Sequence, residues 1–143
     1  MFESCLEKQQ QVKEFFKSCS SEELKYEKII ELGKQQKPLP LSAKISENLV
    51  KGCQSNTYLA SSLENGLVVF HVESDAIISA GLAVILMKVY SGESPETILK
   101  CPPTYLDELG ISASLTPSRA NGLYSIHLRM KQDALKLYMQ KGI

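Results

Sequence analysis

Apolar residues near the start of the chain recur at the spacing of an amphipathic helix, with Glu, Lys and Gln between them. These residues are Phe2, Leu6, Val12, Phe15 and Phe16. The pattern predicts a helix over residues 3–18. The later segment 37–40, Lys-Pro-Leu-Pro, cannot continue a helix and is expected to form an extended linker.

A second helix is predicted between these two segments. Ser20-Ser21-Glu22-Glu23 resembles a capping box, in which the Ser20 hydroxyl accepts a hydrogen bond from the Glu23 amide. The helix then continues to about residue 36, where Gly33 either lies near its C-terminal end or weakens its last turn. The residues predicted to face the core are Leu24, Ile29 and Ile30.

The middle of the chain carries the pattern of a β-hairpin. Residues 57–63 and 67–73 alternate in polarity, with Val68, Phe70 and Val72 on one face. Asn65-Gly66 between them is a strong signal for a two-residue type I′ turn, because both residues tolerate positive φ angles. Residues 41–50 are ambiguous, and their apolar residues Ile45, Leu49 and Val50 predict a short third strand.

The remainder of the chain is predicted to be helical. Ser74-Asp75 is expected to cap a helix over residues 76–90, which is apolar on nearly all sides and therefore belongs at the centre of the core. Ser94-Pro95 and Pro102-Pro103 begin two short helices, and Gly110 ends the second. The last helix, preceded by Thr116-Pro117, carries one apolar stripe. The stripe consists of Leu123, Ile126, Met130, Ala134 and Leu137.

The order of these elements indicates the fold class. Two helices precede a small antiparallel sheet, and several helices follow it, so the strands are grouped and do not alternate with helices. The sequence therefore predicts an α+β fold in which helices cover a three-stranded antiparallel sheet. A chain of 143 residues is expected to form a single domain over residues 1–143.

Composition and charge exclude some classes of partner. Lys plus Arg and Asp plus Glu number 16 each, so no basic excess favours nucleic acid or an acidic membrane surface. The apolar run at 76–87 is shorter than the roughly 20 residues that a membrane-spanning helix needs. Acidic residues come early, unlike a signal peptide, and a cytoplasmic location is expected.

The four cysteines differ in their surroundings. Cys5, Cys19 and Cys101 fall on helical segments or at their ends, where packing explains them. None of the four forms a C-x-x-C pair, and their spacings match no zinc site. Cys53 lies instead in the small polar stretch Gly52-Cys53-Gln54-Ser55, which is typical of a loop. From spacing alone, Cys53 is either a packed thiol or a reactive one.

A reactive Cys53 would need groups that help it to ionise. Lys51 is two residues away, although it is also an ordinary solvated charge, and the fold could bring Arg119 close. The histidines of the sequence are His71, on a predicted strand, and His127, on the last helix. Either histidine beside Cys53 would begin a thiol hydrolase site.

Several segments together resemble one family. These are Gly52-Cys53-Gln54-Ser55, Ser74-Asp75-Ala76 with Gly81-Leu82-Ala83, and Leu115-Thr116-Pro117-Ser118-Arg119 with Asn121-Gly122-Leu123. In this order and spacing they resemble the SufE family, whose members accept sulfur from cysteine desulfurases during iron–sulfur cluster assembly. Two positions depart from the family pattern: Thr57-Tyr58 replaces a common Val-Trp, and Ser114 replaces a common histidine.

The resemblance implies the fold that SufE shares with IscU-like iron–sulfur scaffolds, and a non-enzymatic accessory role. Cys53 would take persulfide sulfur from a SufS-like cysteine desulfurase, stimulate that enzyme, and pass the sulfur to a downstream iron–sulfur scaffold. Gly52, Gln54 and Ser55 would present the thiol, and Asp75 and Arg119 would lie near the loop and the partner surface. The pyridoxal phosphate belongs to the desulfurase, so this chain is expected to hold no cofactor and no metal.

Three points remain open beside this resemblance. An iron–sulfur scaffold of the same fold is the main alternative function, although it would need several converging thiolates. A cysteine-dependent hydrolase is the second alternative. A homodimer is compatible with either function.

Overall fold

In a computed structural model, which describes residues 2–141, six α-helices surround a hairpin of two antiparallel strands. The helices are α1 (Glu3–Phe15), α2 (Glu22–Gly33), α3 (Ile77–Tyr90), α4 (Pro95–Lys100), α5 (Thr104–Leu109) and α6 (Pro117–Lys141). The strands are β1 (Thr57–Glu64) and β2 (Leu67–Ser74). The predicted α+β class is confirmed. Within residues 2–141, no helix combines the length and apolarity needed to cross a membrane.

Helix α3 forms the centre of the core, as its apolar sequence predicted. Nine of its 14 residues are buried, and it packs against α1, α2, α6 and β2. Two buried tyrosines satisfy their hydroxyls on nearby carbonyls: Tyr90 donates to Cys101 O at 2.8 Å, and Tyr105 donates to Ile85 O at 3.1 Å. The core is therefore closed around α3 without leaving these polar groups unpaired.

Helices α2 and α3 cross at unusually close range. A Cβ atom on Gly81 would lie 2.0 Å from Ile29 O, and one on Gly33 would lie 2.2 Å from Ile77 O. Both glycines are needed for the approach of the two backbones. Ile29 is fully buried at this crossing, whereas Leu24, predicted to face the core, is 41% exposed. The prediction for Leu24 was wrong because the face of α2 that is buried is the one that meets α3.

The hairpin forms as predicted. Asn65 and Gly66 have φ angles of 53° and 81°, the left-handed values that a type I′ turn requires. Val68, Phe70 and Val72 are all buried on one face of β2. The strongest local signal in this part of the sequence therefore gave the correct register.

The predicted third strand is absent from the sheet, which has two strands within residues 2–141. Residues Leu41–Ala43 and Ser46–Asn48 form short 3₁₀ turns, and Leu49 makes only an isolated bridge to Tyr58. Val50 donates to Thr57 O at 2.8 Å. Directly afterwards Gly52, with φ of 95°, turns the chain away, so the pairing cannot extend into a strand.

Two predicted helix caps were also placed wrongly. The hydroxyl that caps α2 belongs to Ser21, which accepts from the Leu24 amide at 3.1 Å, so the cap lies one residue later than predicted. Ser74-Asp75 does not cap α3. This helix starts at Ile77, and its N-cap residue is Ala76, so no side chain provides a capping hydrogen bond. The caps at Ser94 and Gly110 are confirmed.

Candidate functional site

Cys53 lies on a sharp turn that only glycine can build. Gly52 has φ of 95°, and a Cβ atom there would lie 2.3 Å from Ser125 Oγ on α6. A side chain at this position would therefore be strained and would also collide with the helix. The turn carries Cys53 toward the start of α6.

The Cys53 thiol is half-buried and has two polar neighbours. Its Sγ donates a hydrogen bond to Gly122 O at 3.7 Å, and the Thr57 side chain is near enough to affect the pKa of the thiol. A Cβ atom on Gly122 would lie 3.8 Å from the sulfur, so the missing side chain leaves space beside it. The thiol is sheltered in this position without being sealed from solvent.

A hollow of about 440 Å³ opens in front of the sulfur. Its lining residues come from the Cys53 loop and from the first turns of α3 and α6: Cys53, Gln54, Ser55, Ala76, Ser79, Thr116, Ser118, Arg119 and Gly122. Two helix N-termini thus border one small space. A helix N-terminus presents unpaired amides and a partial positive charge, which would partly offset the cost of burying a negatively charged sulfur.

Two effects of opposite sign act on the ionisation of Cys53. Burial raises the pKa of the thiol above its ordinary value, and the neighbouring Thr57 side chain offsets only part of this rise. Cys53 therefore ionises less readily than a free cysteine until solvent or a partner changes its surroundings.

Four hydroxyl groups form a cluster behind the thiol. Thr57 Oγ1 lies 3.1 Å from Ser55 Oγ and 2.9 Å from Ser74 Oγ. Ser55 donates to Ser79 Oγ at 2.9 Å, and Ser74 accepts from the Ala76 amide at 3.2 Å. The hydroxyl cluster, Ser55, Thr57, Ser74 and Ser79, therefore joins the Cys53 loop to the end of β2 and the start of α3.

Asp75 fastens the end of the loop. Its Oδ1 accepts from the Asn56 amide at 3.0 Å, and its own amide donates to Asn56 O at 3.2 Å. Although the prediction that Asp75 caps α3 was wrong, the residue lies beside the Cys53 loop, where the family resemblance places it. The paired hydrogen bonds fix where the loop ends and β1 begins.

Arg119 lies at the exposed rim of the hollow. Its guanidinium donates to the Tyr26 hydroxyl and lies 5.5 Å from the centre of that ring, so it is held against α2. Lys51 is exposed and borders a separate groove on the other side of the turn. The structure therefore brings Arg119 to the site as a rim residue, whereas Lys51 remains a solvated charge.

The structure adds residues that sequence reasoning missed. Ser79 and Gly122 line the hollow, and Thr57 lies within hydrogen-bonding distance of Ser55, which also lines it. In the sequence, Thr57 belongs to the first predicted strand, and Gly122 is part of the family-like segment Asn121-Gly122-Leu123. The signal in the sequence was a threonine at the start of a predicted strand, directly after the polar loop of Cys53. It becomes informative only when the long-range contacts are known.

Neither histidine contacts Cys53 or borders its hollow. His71 is exposed on β2, and His127 is buried with its ring centre 5.2 Å from that of Tyr90. Burial, with a smaller effect of the nearby Lys131, lowers the pKa of His127 to about 4. The geometry of the described residues therefore provides no base for a cysteine–histidine hydrolase.

Two other cysteines lie together in the core. Cys5 and Cys101 are 0% and 2% exposed, and the Gln9 side-chain amide lies within hydrogen-bonding range of both sulfurs. Burial, followed by the contact with Cys101, raises the pKa of Cys5 to about 12. Cys19 lies elsewhere and donates to Leu24 O at 3.7 Å. The four thiols therefore occupy three separate places.

The chain is similar to known proteins over most of its length. Residues 10–134 match the family model described as SufE, Fe-S metabolism associated domain. An uncharacterised SufE-like protein of Synechocystis sp. is 37% identical over 111 residues, which are 78% of this chain and 70% of that protein. SufE-like protein 1 of Arabidopsis thaliana, named chloroplastic/mitochondrial, is 36% identical over 131 residues. This match covers 91% of the chain but only 35% of the Arabidopsis protein.

A solved structure shares the fold. The solution structure of a hypothetical protein from Thermus thermophilus matches with a TM-score of 0.75 and 28% sequence identity. The match covers 92% of this chain and 96% of the other. The arrangement of helices around the hairpin therefore occurs as a complete unit in another protein.

Proposed function

This chain belongs to the SufE family, a family associated with Fe-S metabolism, and on that premise we propose that Cys53 is a sulfur acceptor. The donor is the persulfide of a SufS-like cysteine desulfurase. The sulfur then passes from Cys53 to a downstream iron–sulfur scaffold. The chain acts as an accessory protein that also stimulates the desulfurase.

The transfer is a displacement at sulfur. The Cys53 thiolate attacks the outer sulfur of the donor persulfide, a new bond forms between Sγ and that sulfur, and the donor S–S bond breaks. The bonding pair leaves on the donor sulfur as a thiolate, so no external oxidant or reductant is needed. The transferred sulfur retains its proton or releases it to solvent, and Cys53 becomes the persulfide.

One observation carries this proposal: a free, half-buried thiol on a glycine-built turn faces a hollow bordered by two helix N-termini. The hollow provides room for one more sulfur atom, and the helix ends favour the negative charge that a thiolate or persulfide carries. Shelter also protects a persulfide from oxidants and competing thiols.

Gly52, Gln54 and Ser55 present the thiol in this proposal, and Arg119 contributes to the surface that meets the desulfurase. Gln54 and Arg119 are exposed on the rim of the hollow, where a docking protein can reach them. Asp75 supports the loop through Asn56. The partner must draw the sulfur outward, because the resting thiol points toward Gly122.

The stimulation of a SufS-like desulfurase tests this function. With cysteine as substrate, wild-type protein is expected to raise alanine production severalfold, and Cys53→Ser is expected to give no increase. Cys19→Ser is the matched control, because Cys19 is also partly exposed but lies away from the hollow. Equal stimulation by the Cys53→Ser and wild-type proteins would rule out acceptance of sulfur at Cys53 as its cause.

The scaffold alternative fits the placement of the thiols less well. A cluster site joins several thiolates at one point, whereas Cys53 contacts Gly122 and the pair Cys5 and Cys101 is buried beside Gln9. Anaerobic reconstitution with iron and sulfide distinguishes the two functions. A stable visible absorption band that disappears in Cys53→Ser would favour the scaffold.

A further inference from the structure

The outer edge of β2, on the side away from β1, is hydrogen-bonded near its start. Because the residues of an antiparallel strand alternate, four of them direct their backbone polar groups to this outer edge: Val68, Phe70, Val72 and Ser74. Val68 donates to Glu93 O at 2.8 Å, and its carbonyl accepts from the Gly92 amide at 2.7 Å. The first part of the outer edge is therefore paired with the chain that follows α3.

Side chains take the place of a neighbouring strand farther along this edge. Gln36 Nε2 donates to Ser74 O at 3.1 Å, and Gln36 Oε1 accepts from the Ser74 amide at 3.0 Å. A carboxamide has the donor and acceptor of a peptide group, so this pair reproduces the two hydrogen bonds of an antiparallel strand pair. The Phe70 amide similarly donates to Ser91 Oγ at 3.0 Å.

Val72 lies between these two places and is left open. Its outward amide and carbonyl, and the outward carbonyl of Phe70, have no hydrogen-bond partner among residues 2–141. Val72 is nevertheless only 4% exposed, and buried backbone groups are nearly always paired. From Phe70 to Ser74 the edge is about 13 Å long. Such an edge is a template for another extended chain.

A groove of about 340 Å³ opens beside this gap. Its lining comes from β2, from the linker after α2 and from α3: residues 70–72, residues 35–39, Val84, Met87 and Lys88. The linker itself does not pair with Val72, because Pro38 has no amide proton and the Leu39 amide donates to Glu73 Oε1 at 2.6 Å. The groove therefore combines open backbone groups with the apolar side chains of Val84 and Met87.

The charges that border the groove favour an acidic occupant. Lys37 and Lys88 are exposed at the groove, and neither has an ion pair in the part of the chain that the structure describes. The neighbouring Glu73 is already paired with Lys44 at 2.6 Å. The two free cations are therefore available to carboxylates of a bound molecule.

We propose that this groove binds an extended peptide segment of a partner protein, which adds one antiparallel strand to the open edge of β2. One residue of the segment exchanges two backbone hydrogen bonds with Val72, and the residue two positions along donates to Phe70 O. An apolar side chain packs on Val84 and Met87, and acidic residues lie near the two free lysines. The groove shares no lining residue with the Cys53 hollow, so the proposal does not depend on sulfur transfer.

Solution NMR of isotopically labelled protein tests this proposal with the capped peptide acetyl-Glu-Val-Leu-Val-Glu-amide as the probe. In the free protein, the Val72 amide is expected to exchange with deuterium at least about tenfold faster than the paired Val68 amide. Saturation with the probe should shift the Val72 amide resonance and slow its exchange severalfold. N-methylation of the central leucine should weaken binding about three- to tenfold, since one backbone hydrogen bond is lost. N-methylation of the valine that follows it is the matched control, because that amide faces away from β2.

Variants of the protein separate the groove from other surfaces. Lys37→Glu combined with Lys88→Glu should weaken binding severalfold, whereas Lys136→Glu, on a separate groove, should leave it unchanged. Cys53→Ser should bind the probe as wild type does, so this assay and the test of sulfur acceptance can fail separately. The proposal would be overturned by a Val72 amide as protected as that of Val68 in the free protein. No response at Val72 with about 5 mM probe, or equal binding of the two N-methylated peptides, would also overturn it.

Discussion

Cys53 and Cys5 are both thiols of a well-packed domain, yet their surroundings give them different chemistry. Cys5 is fully buried between Gln9 and Cys101, where burial raises its pKa to about 12. Cys53 is half-buried beside an open hollow, where burial raises the pKa of the thiol and the neighbouring Thr57 side chain partly offsets the rise. The difference indicates that the sulfur transfer proposed for Cys53 would use a sheltered but open position, whereas the core around Cys5 excludes charge.

The largest expected contrast is in thiol reactivity. In folded wild-type protein near neutral pH, Cys53 should be alkylated at least about a hundredfold faster than Cys5, because a pKa of about 12 leaves very little thiolate. Quantitative peptide mass spectrometry after a timed iodoacetamide reaction measures the ratio. If Cys5 and Cys53 were alkylated at comparable rates in native buffer, and denaturant did not change the ratio of the two rates, the two environments would not differ in thiol reactivity.

The next expected difference is in stability, when a glycine of the core and a glycine of the site are each replaced by alanine. Gly81→Ala should destabilise the protein by about 2–3 kcal/mol, because its Cβ would lie 2.0 Å from Ile29 O at the crossing of α2 and α3. Gly122→Ala should instead stabilise α6 by about 0.5–1 kcal/mol, since its Cβ would make only an ordinary contact with the Cys53 sulfur. Urea denaturation measures both changes.

The same glycine pair should behave in the opposite way in sulfur transfer. The added methyl of Gly122→Ala narrows the hollow beside the sulfur, so persulfide formation at Cys53 should slow although the protein is more stable. Single-turnover sulfur loading measures this rate. Loading at the wild-type rate in Gly122→Ala would show that the space beside Gly122 is not used.

His127 is a second group that burial in the core keeps uncharged. Its folded pKa of about 4 lies below the value near 6.5 expected in the unfolded chain, so protons favour unfolding. The stability that neutral His127 contributes is therefore complete above about pH 6.5 and is lost as the pH falls toward 4. We expect a loss of about 1–2 kcal/mol between about pH 7 and about pH 5. His127→Phe, which keeps a ring against Tyr90, should lose less over the same range in urea denaturation; an unchanged pH dependence would assign the effect to other groups.

The smallest effect is expected at the rim of the hollow. Arg119 is exposed and contacts Tyr26, so Arg119→Ala should change stability by less than about 0.5 kcal/mol and leave Cys53 alkylation unchanged. Its effect should appear only with the partner, as a few-fold weaker stimulation of the desulfurase. Slower alkylation of Cys53 in Arg119→Ala without partner would mean that Arg119 acts on the thiol itself.

Local sequence signals predicted the parts of the fold that local chemistry determines. The apolar run of α3, the Asn65-Gly66 turn and the stripe on α6 each specify their own element, and all three are confirmed, with Leu137 of the stripe only partly buried. The capping box pattern pointed to Ser20, which has Glu23 three residues later, whereas the structure uses Ser21, which has Leu24 at that position. The third strand failed because one bridge at Leu49 resembles a strand until the turn at Gly52 is known.

In the candidate site, too, some residues could be proposed from the sequence and others could not. Cys53 became a candidate because it lies in a polar loop and the other cysteines fall on helical segments or at their ends, although spacing alone left open whether it is packed or reactive. Its surroundings could not be proposed in this way, since Thr57, Ser79 and Gly122 lie on three different elements and meet only after folding. The pairing of Cys5 with Cys101 was missed for the same reason, because the two residues are brought together from distant parts of the chain.

The most direct test of the account is to locate the sulfur atom after transfer. Wild-type protein is incubated with a SufS-like desulfurase and cysteine, and persulfides are trapped with an alkylating reagent and mapped by mass spectrometry. We predict one additional sulfur on Cys53, none on Cys5, Cys19 or Cys101, and no adduct in Cys53→Ser. A persulfide carried mainly by another cysteine, or one that persists in Cys53→Ser, would contradict the central claim.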